Sequence, residues 1–255
     1  MAGTPGTVSK ILWHFTGGPR WNAAENKQER KPKPAEDAYK ALVGILGSRG
    51  LRLGGYKEVV SVPRHWSRAV GDGAVVTDYS RIEIKSLESV PVVCLADIPI
   101  IHLSYHAQRY GKIAIGFHRE HVMEQGFMPV FYQFLDSPIL QVIYEAEQTR
   151  RSAQTLSKEL KPESDYEGAI ALKVSEKANT ATLCYIKACN HDELETIFCE
   201  REWRSTSPFH FEFSDVSMIV VPRDGGYFER LVGDAESLGL PRSVPIVAWE
   251  DLVEH

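Results

Sequence analysis

One stretch, Val90 to Phe117, reading VPVVCLADIPIIHLSYHAQRYGKIAIGF, constrains this chain most. It predicts a buried strand, a tight turn, a short helix and a second buried strand. Val92, Val93 and Leu95 form an apolar run that stops at Ala96-Asp97. Asp97 is placed to cap the helix, since its carboxylate can accept first-turn N–H groups. Pro99 then falls in that first turn, where a missing N–H costs little. Gly111 is placed to end the helix in a left-handed conformation. His102, His106 and Arg109 follow at i, i+4 and i+7 and so share one helix face. A polar, His-bearing helix between two buried strands reads as scaffold and as one wall of a cleft.

The 255 residues fit one large domain or two small ones. The reading taken is a single domain over 1–255, with a mobile insertion at about 21–34. A 43% hydrophobic and 25% charged composition belongs to an ordinary globular protein. The net charge of −5 gives no global reason to expect nucleic acid or an anionic membrane as partner. No apolar run approaches the ~20 residues that span a bilayer, and MAGTPGTVSK carries no apolar signal-peptide core. Cys94, Cys184, Cys189 and Cys199 form no C-x-x-C pair. They read as reduced thiols of a cytoplasmic protein, with no metal site.

Lys10–Thr16 predicts a first strand with Ile11, Trp13 and Phe15 on one face and Leu12, His14 and Thr16 on the other. Gly17-Gly18-Pro19 breaks it, and a Lys/Pro-rich polar loop runs to Pro34. Ala35–Arg49 is an amphipathic helix closed by Gly50. Short strands are expected within 56–89, around a Gly71-Asp72-Gly73 turn. Arg119–Gln125 is a short helix before Gly126, and Pro129–Phe134 a strand. Ser137-Pro138 opens a long helix. Its apolar face is assigned to Ile139, Val142, Ile143, Ala146, Ala153, Leu156 and Leu160. Ala169–Val174 fits helix or strand. Thr182–Lys187, Thr196–Arg204, Val216–Val221 and Val244–Ala248 read as strands, and Gly225–Leu238 as a helix. Short strands mixed irregularly with helices imply an α+β fold: a mixed, mostly antiparallel split sheet with flanking helices.

Three constellations could carry chemistry. On a strand, Glu200, Glu202 and Arg204 would point one way and Arg201 and Trp203 the other. Two carboxylates on one face repel, which stabilises no sheet and so suggests function. Surface pairing with Arg201 and Arg204 is the plainer explanation. His14, inside an apolar strand, could hold a ligand hydroxyl or be a satisfied core histidine. His102 and His106 have a spacing suited to zinc, but no H-E-x-x-H or third ligand accompanies them. Walker A, G-x-G-x-x-G and G-x-S-x-G motifs are absent from the sequence.

The ordered set His14-Phe-Thr, Val93-Cys-Leu-Ala-Asp-Ile-Pro, His106 with Tyr110-Gly111, Ile115-Gly-Phe, Gly126 with Pro129-Val130, Tyr185-Ile-Lys and Glu200-Arg-Glu-Trp-Arg resembles the AbiGi family. That family is named for abortive phage infection systems and described as an antitoxin. The resemblance runs from about residue 11 to about 221. The chain departs from it in the loop at 22–34 and at Lys187-Ala-Cys. It implies a bacterial defence or toxin–antitoxin protein with a cognate toxin or antitoxin as partner.

A further resemblance, at the level of fold, is to ADP-ribosyltransferases of the DarT kind, through the early His-x-Thr strand and the late glutamates. It implies an ADP-ribosyltransferase-like fold that takes NAD as substrate and a nucleic acid or protein as acceptor. His14 and Thr16 would then contact the ribose or nicotinamide. Glu202 would hold the ribose 2′-OH against the oxocarbenium-like transition state, and Glu200 would orient the acceptor. Tyr105, Tyr110 or Phe117 would stack on nicotinamide, with His106 and Arg109 bordering the cleft toward the phosphates. The competing expectation is a non-enzymatic partner that binds and neutralises a toxin, with Glu200 and Glu202 as structural charges.

Overall fold

The computed structural model describes residues 9–22, 24, 27–29, 31–54, 57–69, 75–159, 181–191 and 197–253. The expectations at Gly71–Gly73 and Ala169–Val174 fall outside these residues. The chain gathers into two compact units, one of Met1–Tyr56, Val92–Pro129 and Thr196–His255, the other of Lys57–Pro91 and Val130–Glu195. The fold is α+β with a mostly antiparallel principal sheet, as the sequence implies. Among the described residues no helix is long and apolar enough to cross a membrane.

In chain order the strands are β1 Ile11–Phe15, β2 Trp21–Asn22, β3 Lys27–Gln28, β4 Gly50–Leu51, β5 Val59–Ala69, β6 Val75–Glu88, β7 Val93–Ala96, β8 Ala114–His118, β9 Met128–Pro129, β10 Phe131–Phe134, β11 Ile186–Cys189, β12 Glu202–Ser205, β13 Phe209–His210, β14 Val216–Val221 and β15 Ile246–Ala248. The helices used below are α1 Ala35–Ser48, α2 Leu103–Tyr110, α3 Arg119–Glu124 and α4 Pro138–Glu159.

In the first unit seven strands form one sheet, ordered β15-β14-β8-β1-β7-β12-β9. β14 and β15 run parallel, and every other pairing is antiparallel. β1 is central, and its alternation decides what each face carries. Leu12 joins Leu95, Ile115, Phe117 and Ile219 in a core closed by Tyr39, Leu42 and Leu46 of α1 and by Leu231 of the helix Tyr227–Asp234. Trp13 and Phe15 join Ala96, Ala114 and Val220 on the other face, beneath Leu103 and Ala107 of α2 and Trp249. Gly116 sits where a Cβ would lie 2.6 Å from Ile11 Cγ2 and 2.9 Å from Trp13 Cζ3, so the packing there excludes a side chain.

In the second unit β5 and β6 form a long antiparallel hairpin, and β10 pairs with β11 in parallel. Leu140 and Tyr144 of α4 pack with Val60, Leu87, Leu183 and Ile186. Ser137 caps α4 as expected, its hydroxyl accepting from Ile139 N at 3.2 Å.

Several local expectations are corrected. α1 is closed by Arg49, in the left-handed conformation (φ 49), rather than by Gly50, which already starts β4. Asp97 caps no helix. Pro99 precedes a 3-10 turn at Ile100–His102, α2 follows from Leu103, and neither start has a side-chain cap. Gly111 ends α2 at φ 76 and ψ 176, a glycine conformation other than the left-handed helical one. The run expected as one strand at Pro129–Phe134 is divided between β9 and β10, in different sheets. The strand expected from Thr196 begins only at Glu202.

Candidate functional site

That last difference reorganises the proposed site. Residues 197–200 are helical turn, and Arg201 has φ 41, so the chain enters β12 through a left-handed residue. Glu200 and Glu202 therefore do not share a strand, and the two carboxylates meet different partners.

Glu202 lies opposite Ala96, which itself lies opposite Trp13. Directly paired residues project to the same face, so Glu202 stands on the Trp13 face together with Arg204, two residues on. Arg204 holds it with both ends of the guanidinium: Nε donates to Oε1 at 3.0 Å and Nη2 to Oε2 at 2.9 Å. Arg204 is 0% exposed and Glu202 7%. A bidentate pair inside low-dielectric surroundings holds both groups in one geometry.

Arg201 is held by a second cluster. Its carbonyl accepts from Asp97 N at 3.0 Å, and its Nη2 lies 3.2 Å from Asp97 Oδ2. Arg119 Nη2 approaches Asp97 Oδ1 at 2.7 Å. Arg119 also donates from Nε to Ser9 O at 2.6 Å and lies over the Trp203 ring at 5.2 Å. Asp97, buried between two arginines, ties the end of β7 to the entry of β12. This is its work in place of capping.

Glu200, 6% exposed, turns instead toward α2. Tyr110 donates its hydroxyl to Glu200 Oε1 at 2.8 Å, and Arg109 Nη1 stands 3.5 Å from the same oxygen. His106 lies between Phe15, with ring centres 4.7 Å apart, and Tyr110, stacked at 4.3 Å. Glu200, Tyr110, Arg109 and His106 thus come together, with Phe15 beside them. Strand alternation gave Phe15's face, but nothing local tied that face to Glu200.

His14 lies elsewhere. It pairs with Ile115 and belongs to the opposite face from Trp13, hence from Glu202. Its ring is half-buried, with Nδ1 3.2 Å from Cys94 O. Burial lowers its pKa to about 4, with Lys33 adding to the depression and the Cys94 carbonyl opposing it. His14 is therefore neutral near pH 7. Nδ1 faces a carbonyl, so the tautomer protonated there is the one that satisfies both groups. Thr16 is buried, its backbone N donating to Ile113 O at 3.1 Å. Phe117 is fully buried, edge-on to Phe209 and 4.9 Å from Phe211, a core position with no surface for a stacking ligand. Tyr105 is exposed on α2. Thus the structure gathers part of the expected set around Glu200 and separates His14 from Glu202 by the thickness of the sheet.

The molecule is thus an α+β protein in which three buried charges, Glu200, Glu202 and Arg204, stand at the entry and first residues of β12. The family model described as "Putative abortive phage resistance protein AbiGi, antitoxin" matches residues 68–222, more than half of the chain, and the chain belongs to the AbiGi family. The match includes Tyr105, His106, Arg109, Tyr110, Phe117, Glu200 and Glu202 and excludes His14 and Thr16. No curated protein matches the chain, and no solved structure does.

Proposed function

We propose that this chain acts in abortive phage defence as the partner that binds and restrains a cognate toxin. The family description supports an antitoxin role and a toxin as its partner. The observation that carries the reading is the closure of Glu202 by Arg204. A carboxylate with both oxygens engaged by one buried guanidinium is poorly placed to take a ribose hydroxyl. Its position opposite His14 across the sheet adds to this. Glu202 then serves as a structural charge and the surface does the binding. The test is co-expression with the cognate toxin. Growth should be rescued by the wild-type chain and by any Glu202→Gln protein that remains folded. Loss of rescue in a folded Glu202→Gln variant would refute the structural assignment.

A second reading has one specific observation behind it, the gathering of Glu200, Tyr110, His106, Phe15 and Arg109. In this reading the chain transfers ADP-ribose from NAD to a nucleic acid or protein. Glu200 replaces Glu202 as the carboxylate beside developing positive charge. Tyr110 and His106 offer a stacking platform, Arg109 meets the phosphates, and His14 and Thr16 support the sheet. Incubation with labelled NAD and cell lysate tests it: turnover should vanish in Glu200→Gln. Absence of nicotinamide release from the wild-type chain ends this reading.

A further inference from the structure

Lys33, in the first unit, is a half-buried cation with a neutral partner. Its backbone N–H donates to Gly17 O at 2.9 Å. Gly17 in turn lies against the end of α2, where a Cβ would meet Tyr110 O at 2.7 Å. The loop is therefore set from both sides. Lys33 Nζ reaches back and donates to Thr16 O at 3.3 Å. Among the described residues no carboxylate forms an ion pair with it. Asp37 is the near one, and Arg20 Nη2 holds its Oδ2 at 2.5 Å. Two cations thus face one anion. Burial pushes the Lys33 ammonium below its ordinary pKa, Arg20 adds to this, and Asp37 opposes it.

The His14 imidazole has the complementary shortage. Nδ1 faces Cys94 O at 3.2 Å, and with the proton there Nε2 is left as an acceptor. Among the described residues no donor meets Nε2. Two residues along an extended chain span about 7 Å and return to the same face, which brings His14 beside the Thr16 position that Lys33 reaches. The Lys33 charge is felt at the imidazole. The place thus offers one charged donor and one neutral acceptor, with positive charge in excess. We propose that Lys33 Nζ and His14 Nε2 bind an oxyanion that keeps an O–H, with hydrogen phosphate as the simplest case. One anionic oxygen accepts from Lys33, and the P–OH donates to His14. Phosphodiesters and the pyrophosphate of NAD carry no such proton, so the site is independent of both functional readings above. The set loop lowers the ordering cost of binding, and a Kd of about 1 mM or below is expected.

Isothermal titration calorimetry of the full chain tests this, near neutral pH in chloride buffer at constant ionic strength, with sodium phosphate to about 20 mM. Phosphate should bind at least ~10-fold tighter than sulfate, which has the charge but no O–H. Lys33→Gln should weaken phosphate at least ~10-fold, and Lys33→Arg should retain it within about threefold. Arg20→Gln removes a cation and releases Asp37 toward Lys33, so it should weaken binding. Adding Asp37→Asn should restore it. His14→Gln, whose amide can donate to either ion, should erase the preference for phosphate. At about pH 6, where a monoester is half protonated, a 5′-mononucleotide binding tighter than inorganic phosphate assigns the site to a monoester, and weaker binding to the free ion. Undetectable phosphate binding overturns the proposal, as does binding unchanged in Lys33→Gln. Sulfate bound as tightly as phosphate by the wild-type chain overturns the part given to His14, and that comparison needs no variant to fold.

Discussion

Glu202→Gln separates a structural carboxylate from a catalytic one by stability alone. Arg204 is fully buried, and Glu202 supplies both oxygens of a bidentate pair. Removing one member of a buried pair costs about 3–5 kcal/mol, because the other charge is left without compensation and without water. Glutamine keeps one accepting oxygen, so about 2–4 kcal/mol is the expected loss. At ~2–4 °C per kcal/mol for a chain of this size, Tm should fall by roughly 4–16 °C. The control is Glu200→Gln. Glu200 also sits at a buried position, but Arg109 beside it has a side chain 44% exposed and can turn to solvent. Its loss should cost about 1 kcal/mol. Thermal and urea unfolding followed by circular dichroism, with tryptophan fluorescence as a second probe, measures both. A Glu202→Gln chain as stable as wild type, or more stable, would refute the reasoning. Groups held unfavourably for catalysis relax on removal, whereas groups that complete a core do not.

Three further outcomes follow from the same structure. The folded-state pKa of His14, about 4, lies below its ordinary 6.5, so between those values the unfolded chain binds a proton that the folded chain does not. Stability is then complete above about pH 6.5 and falls as pH drops toward 4, by up to about 3 kcal/mol, and urea unfolding against pH should lose that slope in His14→Gln. Asp97→Ala should cost about 3–5 kcal/mol by leaving Arg119 and Arg201 without their shared carboxylate, and Asp97→Asn less, as read from urea midpoints. Gly116→Ala forces a methyl against Trp13, whose indole is pinned by a 3.0 Å bond to Ile98 O, and should cost about 1–3 kcal/mol in the same assay.

What could be read in advance was local. The alternation of Ile11–Phe15 gave the two faces of the central strand, because a period of two needs no partner to be seen. The helix of residues 35–48 declared itself by its spacing. The division between Glu200 and Glu202 was not legible. Glu-Arg-Glu-Trp-Arg alternates well enough to pass for one strand, and Arg201 carries no local sign of a positive φ. What holds it there is Asp97, 104 residues away in sequence. Likewise α4 has apolar residues on more than one side, and periodicity cannot say which stripe meets the hairpin. Leu140 and Tyr144 are settled by their partners at Val60, Leu87 and Ile186.

The matched family segment and the folded unit do not begin at the same place, and this bears on how His14 should be judged. β7 and β8 both lie within residues 68–222, yet they do not pair with each other. β1 stands between them, at residues 11–15, outside the match. Without β1 the sheet would present two facing edges, each with unpaired backbone groups and an exposed apolar row. The working unit therefore includes β1, and β1 constrains its side chains for reasons independent of chemistry. His14 illustrates the point: neutral, half-buried and next to the Cys94 carbonyl, it suits a place in the sheet whatever the protein binds. A damaging substitution at His14 is then no argument for NAD by itself. The enzymatic reading gains from His14 only if a variant loses NAD turnover while its unfolding midpoint stays at the wild-type value.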